Sequence, residues 1–482
     1  MRSPRMRAAL AVGAAALVLV GCSHRIEGSA VSVFADPFKV GGMTAVDGPT
    51  GLRDDAIAPT RTVEDTDGGE IDHLGAQSIS DIEQYWAYAY PDNLPGEFRP
   101  VEAVSSWDAR DYAGGFCGGP THGLVNAGFC RVNNTIGWDR GVLLPALRRV
   151  NGDMAITMVL AHEYGHSIQQ QARLVRSTTP VLVGEQQSDC MAGAYTRWVA
   201  EDRSPRFTLS TGDGLNDLLV TLLSIRDPVL TELDVEINGV GDEHGTAFER
   251  ISAFQAGFTD GPSACLAIDA AEIEARRGAL PTELQRDQTG DWPVSDESVH
   301  AVYEALKILF APAPPPALSL DANAAAGCAD ARPSPPASYC PATNTIYLDM
   351  PALTAMGTPD IELDPTSLVG DNTAYSVLIS RYMLSLQHAQ GLPMDTAEAA
   401  LRTACLTGVA TTKLAPGVAT PGGHSVKLAA GDIDEAVSGL LTNGLAASDV
   451  NGDTVPAGFS RIAAFQAGVL GDWDRCVSRY TG

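Results

Sequence analysis

The stretch His162-Glu163-Tyr164-Gly165-His166 carries the residue types and spacing best suited to chemistry in this chain. It lies within Met158-Val-Leu-Ala-His-Glu-Tyr-Gly-His-Ser-Ile-Gln169, whose apolar flanks predict a helix. Residues four apart share a helix face, so both imidazoles can meet one metal ion. Glu163 stands one step round, placed to act on water at the metal rather than to bind it. A zinc ion lowers the pKa of its water to about 7. Glu163 is therefore expected to act on that water.

Catalytic zinc needs a third protein ligand and an open fourth position. After a break at Ser177-Thr-Thr-Pro180, a second helical pattern runs from Gly184 to Trp198 and carries Glu185 and Asp189, again four apart on one face. One carboxylate suits the metal, and the other suits a hydrogen bond to a ligating histidine that fixes its tautomer. Glu185 is expected as the third ligand and Asp189 as the outer partner, with the reverse assignment open. A three-histidine site is excluded, because Gln169 and Ala172 stand where that pattern needs Gly and His. His244, in the turn Gly241-Asp-Glu-His244-Gly-Thr, has two readings: a donor to the developing oxyanion, or a solvent-exposed loop histidine.

These segments carry a family resemblance. His162 to His166, then Glu185-Gln-Gln-Ser-Asp189-Cys190-Met-Ala-Gly193, then His244-Gly-Thr246 leading into Phe248 to Phe258, are similar to the bacterial neutral zinc metallopeptidases of the gluzincin-like HExxH type. Gly128 to Asp139 resembles that family's strand segment, so four segments match in order across about residues 110 to 270. Actinobacterial lipoprotein peptidases, the LpqM-like group, would be the nearest relatives. The resemblance implies an α+β, zincin-like domain hydrolysing peptides or proteins, with Zn2+ on His162, His166 and Glu185 and with Glu163 as base. It further implies that the strand Arg131 to Trp138 offers its edge to an extended peptide. Arg250 is expected to hold structure by pairing with a carboxylate.

The C-terminal half repeats the N-terminal half. Phe248-Glu-Arg-Ile-Ser-Ala-Phe-Gln-Ala-Gly257 recurs as Phe459-Ser-Arg-Ile-Ala-Ala-Phe-Gln-Ala-Gly468, and Asn134-Thr-Ile-Gly-Trp-Asp139 as Asn344-Thr-Ile-Tyr-Leu-Asp349. In the copy, His162, Glu163 and His166 fall on Ser380, Arg381 and Leu384, Glu185 and Asp189 on Ala400 and Ala404, and His244 near Val455. A degenerate repeat of the same fold, without zinc, is expected there. The repeated spacing also favours the disulfides Cys117–Cys130, Cys190–Cys265, Cys328–Cys340 and Cys405–Cys476. Cys190 keeps its counterpart Cys405 where no site remains, which argues for a structural thiol rather than a ligand.

Arg2, Arg5 and Arg7 precede an apolar run from Ala8 to Val20, and Leu19-Val20-Gly21-Cys22 matches a lipobox. Residues 1–22 thus read as a lipoprotein signal, with Cys22 lipidated and the protein anchored in the cell membrane on its extracytoplasmic side. Such export permits disulfides. Residues 23–75, rich in Gly, Asp, Pro and Thr, read as a flexible tether. Residues 76–270 form the expected peptidase domain, 271–292 a linker and 293–482 the inactive repeat, a surface for a possible protein partner. The formal net charge of −27 argues against nucleic acid as a partner. Two alternatives use the same residues: a binding or scaffolding lipoprotein with a vestigial zinc site, and a zinc-dependent cell-wall amide hydrolase.

Overall fold

The computed structural model describes residues 36–231, 244–285, 288–311, 313–359 and 368–481. The lipoprotein signal, Cys22 and the tether as far as residue 35 lie outside the described residues. The chain is mixed α and β, 50% helical and 11% strand, in keeping with an α+β class. No helix among the described residues is long and apolar enough to cross a membrane.

Strands β1 (Val63–Glu64), β2 (Ala103–Trp107), β3 (Ala127–Cys130) and β4 (Thr135–Asp139) form a sheet in the order β1-β2-β4-β3. The first three neighbours run parallel and β3 is antiparallel to β4, with Gly128 opposite Gly137. Every residue of β4 is buried. Its Trp138 ring lies so close over Gly75 that a Cβ there would meet the indole at 2.6 Å, and its Nε1 donates to Asp72 at 2.9 Å. The Asp139 carboxylate accepts from the backbone nitrogens of Ala109, Gly141, Val142 and Leu143, which turns the chain out of the sheet.

Helix α1 (Glu70–Asn93) connects β1 to β2, and α2 (Leu143–Asn151), α3 (Asp153–Ala172), α4 (Val181–Ala200), α5 (Asp213–Ser224), α6 (Ala247–Asp260) and α7 (Ala270–Arg277) follow the sheet. Helix α3 is buried on nearly every side, which its almost continuous apolar and small residues permit. The second half places α8 (Asp296–Leu309) before strands β5 (Ala317–Ser319), β6 (Ala337–Cys340) and β7 (Thr345–Leu348). Helices α9 (Met350–Met356), α10 (Asp371–Ala389), α11 (Ala397–Leu414), α12 (Asp432–Thr442), α13 (Gly458–Val469) and α14 (Trp473–Arg479) follow. The sheet order β5-β7-β6, with β5 parallel and β6 antiparallel to β7, has the directions of β2-β4-β3. All four cysteine pairs are bonded as the spacing suggests.

Three expectations are corrected. The stretch from residue 36 to 75 is not a free tether. Gly51–Leu52 pairs with Phe207–Thr208, Val40 and Val63 are buried, and α1 begins at Glu70. Its turn-rich composition reads as flexible, but long-range backbone pairing fixes it. The 271–292 segment is likewise tied down: Arg276 of α7 donates to the Glu249 carbonyl at 2.8 Å and to Gln186 at 2.7 Å. Finally, the strand expected to offer an edge is interior. β4 is flanked by β2 and β3, so the edge on that side of the sheet belongs to Ala127–Cys130.

The two halves share one apolar core instead of meeting through a linker alone. Phe258 packs against Phe459 with tilted rings and centroids 5.2 Å apart, and Gln255 donates to the Phe459 carbonyl at 2.9 Å. Asp434 of α12 accepts from the Phe248 nitrogen at 3.1 Å and pairs with Arg226 at 3.2 Å.

Candidate metal centre

Helix α3 supplies His162 and His166, and α4 crosses it closely enough to bring Glu185 between them. Gly165 makes this crossing possible, since a Cβ there would lie 2.9 Å from the Cα and Oγ of Ser188. The neighbouring Tyr164 points the other way, into the core, where its hydroxyl donates to Glu83 at 3.1 Å. Glu185 Oε2 lies 3.1 Å from His162 Nε2 and 3.4 Å from His166 Nε2. One donor atom from each of the three lies within 4.8 Å of the others. Zinc bonds of about 2.0–2.2 Å in a tetrahedron set ligand atoms about 3.3–3.5 Å apart, so the donor set and spacing fit zinc.

Each ligand candidate is held from behind. His162 Nδ1 donates to Asp189 Oδ1 at 2.7 Å, leaving Nε2 for the cluster. Asp189 is fully buried and takes a two-pronged bond from Arg250, at 2.8 and 2.9 Å, so it stands behind the histidine and Glu185 faces the donor set. Arg250 thus meets its carboxylate, one residue past the capping box that Thr246 and Glu249 form at the start of α6. His166 Nδ1 is within 3.2 Å of Gln169 Oε1 and 3.1 Å of Ser188 Oγ. Gln169 is itself oriented by donating through Nε2 to the Gly184 carbonyl at 2.5 Å.

Burial works against a charge on His162, yet Asp189 and Glu185 outweigh it and push its pKa up to about 10. Burial also opposes charge on Glu185, but bonds from His162 and His166 hold it below the usual carboxylate range. Protons bind this donor set together, and a divalent cation competes for the same lone pairs.

Glu163, His166, Glu185 and His244 face a cavity of about 260 Å³, whose far wall is Asn126 to Phe129. That wall is the β3 edge of the sheet. His244 Nε2 is 3.8 Å from Glu185 Oε2, and its Nδ1 donates to Asp227 Oδ1 at 2.8 Å. Asp227 Oδ2 also accepts from the backbone nitrogen of His244 at 2.7 Å, fixing the turn. The Asp227 bond raises the His244 pKa, burial opposes it and Glu185 adds to it. Asp227, Gln169, Ser188 and Gly165 had no assigned role in the sequence reading. Only Gln169 had an available signal, its place one turn beyond His166.

At the matching place in the second half there is no such donor set among the described residues. Ser380, Arg381, Leu384, Ala400 and Ala404 are fully buried. The Arg381 guanidinium donates to the carbonyl of Ala337, on β6, at 2.8 Å and to Ser448 at 2.8 Å. No family model, no curated protein and no solved structure matches the chain.

Proposed function

We propose that this protein is a zinc-dependent peptidase with one active site, in its first half. The observation that carries this reading is the convergence of His162, His166 and Glu185 at zinc-ligand spacing, with Glu163 on the same cavity. His162, His166 and Glu185 would hold the ion, which when bound supplies Lewis acidity to a peptide carbonyl and to water. Glu163 takes a proton from the attacking water on its carboxylate and passes it to the leaving amine nitrogen. His244, oriented by Asp227 and made more basic by that bond, is the donor from Nε2 to the oxyanion as the carbonyl becomes tetrahedral. An extended substrate pairs its backbone with the free edge of β3, which runs along the cavity wall.

The second half is, on this reading, a degenerate copy of the zincin-like domain. The matched strand order, the equivalent disulfides and the buried Ser380, Arg381 and Leu384 support this. The enzyme is anchored through lipidated Cys22 on the outer face of the cell membrane, where envelope peptides or proteins are its substrates. Cys22→Ser is expected to release active protein into the medium, and retention in the membrane fraction would refute the anchor.

The decisive experiment compares zinc content and peptide hydrolysis in wild type and Glu163→Gln. Both should carry one zinc, while hydrolysis in the variant should fall by about 10²–10⁴-fold. Hydrolysis at the wild-type rate, or wild type without zinc, would refute the proposal.

A further inference from the structure

Away from the histidine cluster, the second half holds a group of carboxylates that the peptidase reading does not use. Asp371 opens α10, and Asp432 and Glu435 stand on the first turn of α12. One oxygen from each lies within 4.8 Å of the other two. Asp371 is 6% and Asp432 7% exposed. The Glu435 carboxyl packs so closely on the start of α10 that a Cβ on Gly370 would lie 2.1 Å from it.

We propose that Asp371, Asp432 and Glu435 bind a calcium ion that ties α10 to α12. Asp432 lines a cavity of about 420 Å³ together with Asp371, so water and ions can reach the group. Its Oδ2 accepts from the Ala429 nitrogen at 2.7 Å, whereas its Oδ1 is buried with no hydrogen-bond partner. Among the described residues, no Lys, Arg or His lies within 4.0 Å of any of the three carboxylates. The positive end of α12 favours acidic groups on its first turn, but that effect is much smaller than the cost of burying unpaired charge.

Without a cation, protons must take its place. Burial pushes the Asp371 carboxyl up to about 6 and, with Asp371 and Asp432 beside it, pushes Glu435 up to about 9. An all-oxygen set with three carboxylates suits calcium, whose bonds of about 2.3–2.6 Å reach oxygens this far apart. Magnesium keeps most of its water and takes one or two carboxylates, and zinc prefers nitrogen and sulfur.

The first half shows that the group is not a requirement of the scaffold. Asp153, which opens α3 as Asp371 opens α10, is neutralised by Arg148 at 2.8 Å. Asn216, fourth in α5 as Glu435 is fourth in α12, carries no charge and instead accepts from the Gly458 nitrogen at 2.9 Å. The charge cluster belongs to the second half alone.

The test uses the full chain dialysed free of calcium, then titrated with CaCl2 and separately with TbCl3. Saturating calcium is expected to raise the Tm by about 2–5 °C. Terbium should luminesce on excitation of the aromatic residues, because the Trp292 nitrogen donates to Asp371 and its carbonyl accepts from Tyr375. Calcium should quench that signal. Asp432→Asn and Glu435→Gln are expected to weaken both responses at least about tenfold, with unchanged circular dichroism. In calcium-free buffer these variants should melt at or above wild type, since an amide replaces a buried carboxyl that would otherwise have to take up a proton. No calcium-dependent shift in wild type, or variants that respond as wild type does, overturns the site.

Discussion

His244 and Asp227 show how a single loop carboxylate can both position a proposed donor and raise its basicity. Asp227 bonds the His244 ring and its backbone nitrogen, which leaves Nε2 as the end of the ring directed toward Glu185. A donor acting on the oxyanion contributes to the transition state and little to substrate binding. His244→Ala is therefore expected to lower kcat by about 10–10³-fold with KM nearly unchanged and zinc retained. Asp227→Asn keeps the ring but loosens it and lowers its basicity, so a smaller loss in kcat, about tenfold, is expected. Steady-state kinetics with zinc analysis on both variants would check this, and unchanged kcat in His244→Ala would remove the residue from the mechanism. At this scale the sequence was readable where spacing is short. His162, Glu163 and His166 share one helix, and Glu185 and Asp189 share the next. Asp227 was not readable, because it stands 17 residues from His244 in a segment without periodicity.

At the scale of elements, the site depends on helices that approach unusually closely. Gly193 of α4 and Gly257 of α6 each face the other helix's backbone: a Cβ on Gly257 would lie 1.8 Å from the Cys190 carbonyl oxygen, and one on Gly193 2.1 Å from that of Phe254. The second half repeats the crossing, with Gly408 against Phe465 and Gly468 against Cys405. The recurring Phe-Gln-Ala-Gly segments were legible as a repeat, but their reason, backbone contact between helices, appears only once the partner helix is known. The edge strand was misjudged for a related cause. β2 occupies the side of β4 that the sequence left open, and no local pattern announces a parallel neighbour from residues 103–107. Because α4 carries Glu185 and Asp189, pushing α6 away should disturb the metal as well as the fold. Gly257→Ala is expected to destabilise the protein by at least about 1–3 kcal/mol and to weaken zinc binding. Gly468→Ala should cost similar stability with a smaller effect on zinc. Urea unfolding and chelator competition measure the two quantities, and equal loss of zinc affinity in both variants would refute the separation.

For the whole molecule, the sequence suggested two domains joined by a linker, with an apolar interface between them as one option, and the two halves share one core. Phe248, Phe258, Phe459 and Phe465 are all at most 1% exposed and meet across the boundary between the halves. Burying a phenylalanine contributes about 1.5–3 kcal/mol, so losing half of that at each of four rings would cost about 3–6 kcal/mol. The net stability of a folded domain is about 5–15 kcal/mol, which leaves little margin for an isolated half. Asp434 adds a polar constraint, since separation would leave Arg226 without this carboxylate and the Phe248 nitrogen without its acceptor. The first half also carries Arg250, whose helix packs directly on the second half and whose carboxylate partner orients His162. The second half is in this sense part of the support for the proposed metal site. Residues 36–285 expressed alone are expected to bind a hydrophobic dye, to melt without a cooperative transition and to hold zinc weakly. Supplying residues 288–481 as a second chain should restore both the transition and the metal. A cooperative melt with one tightly bound zinc in the isolated first half would show instead that the second half is dispensable to the site.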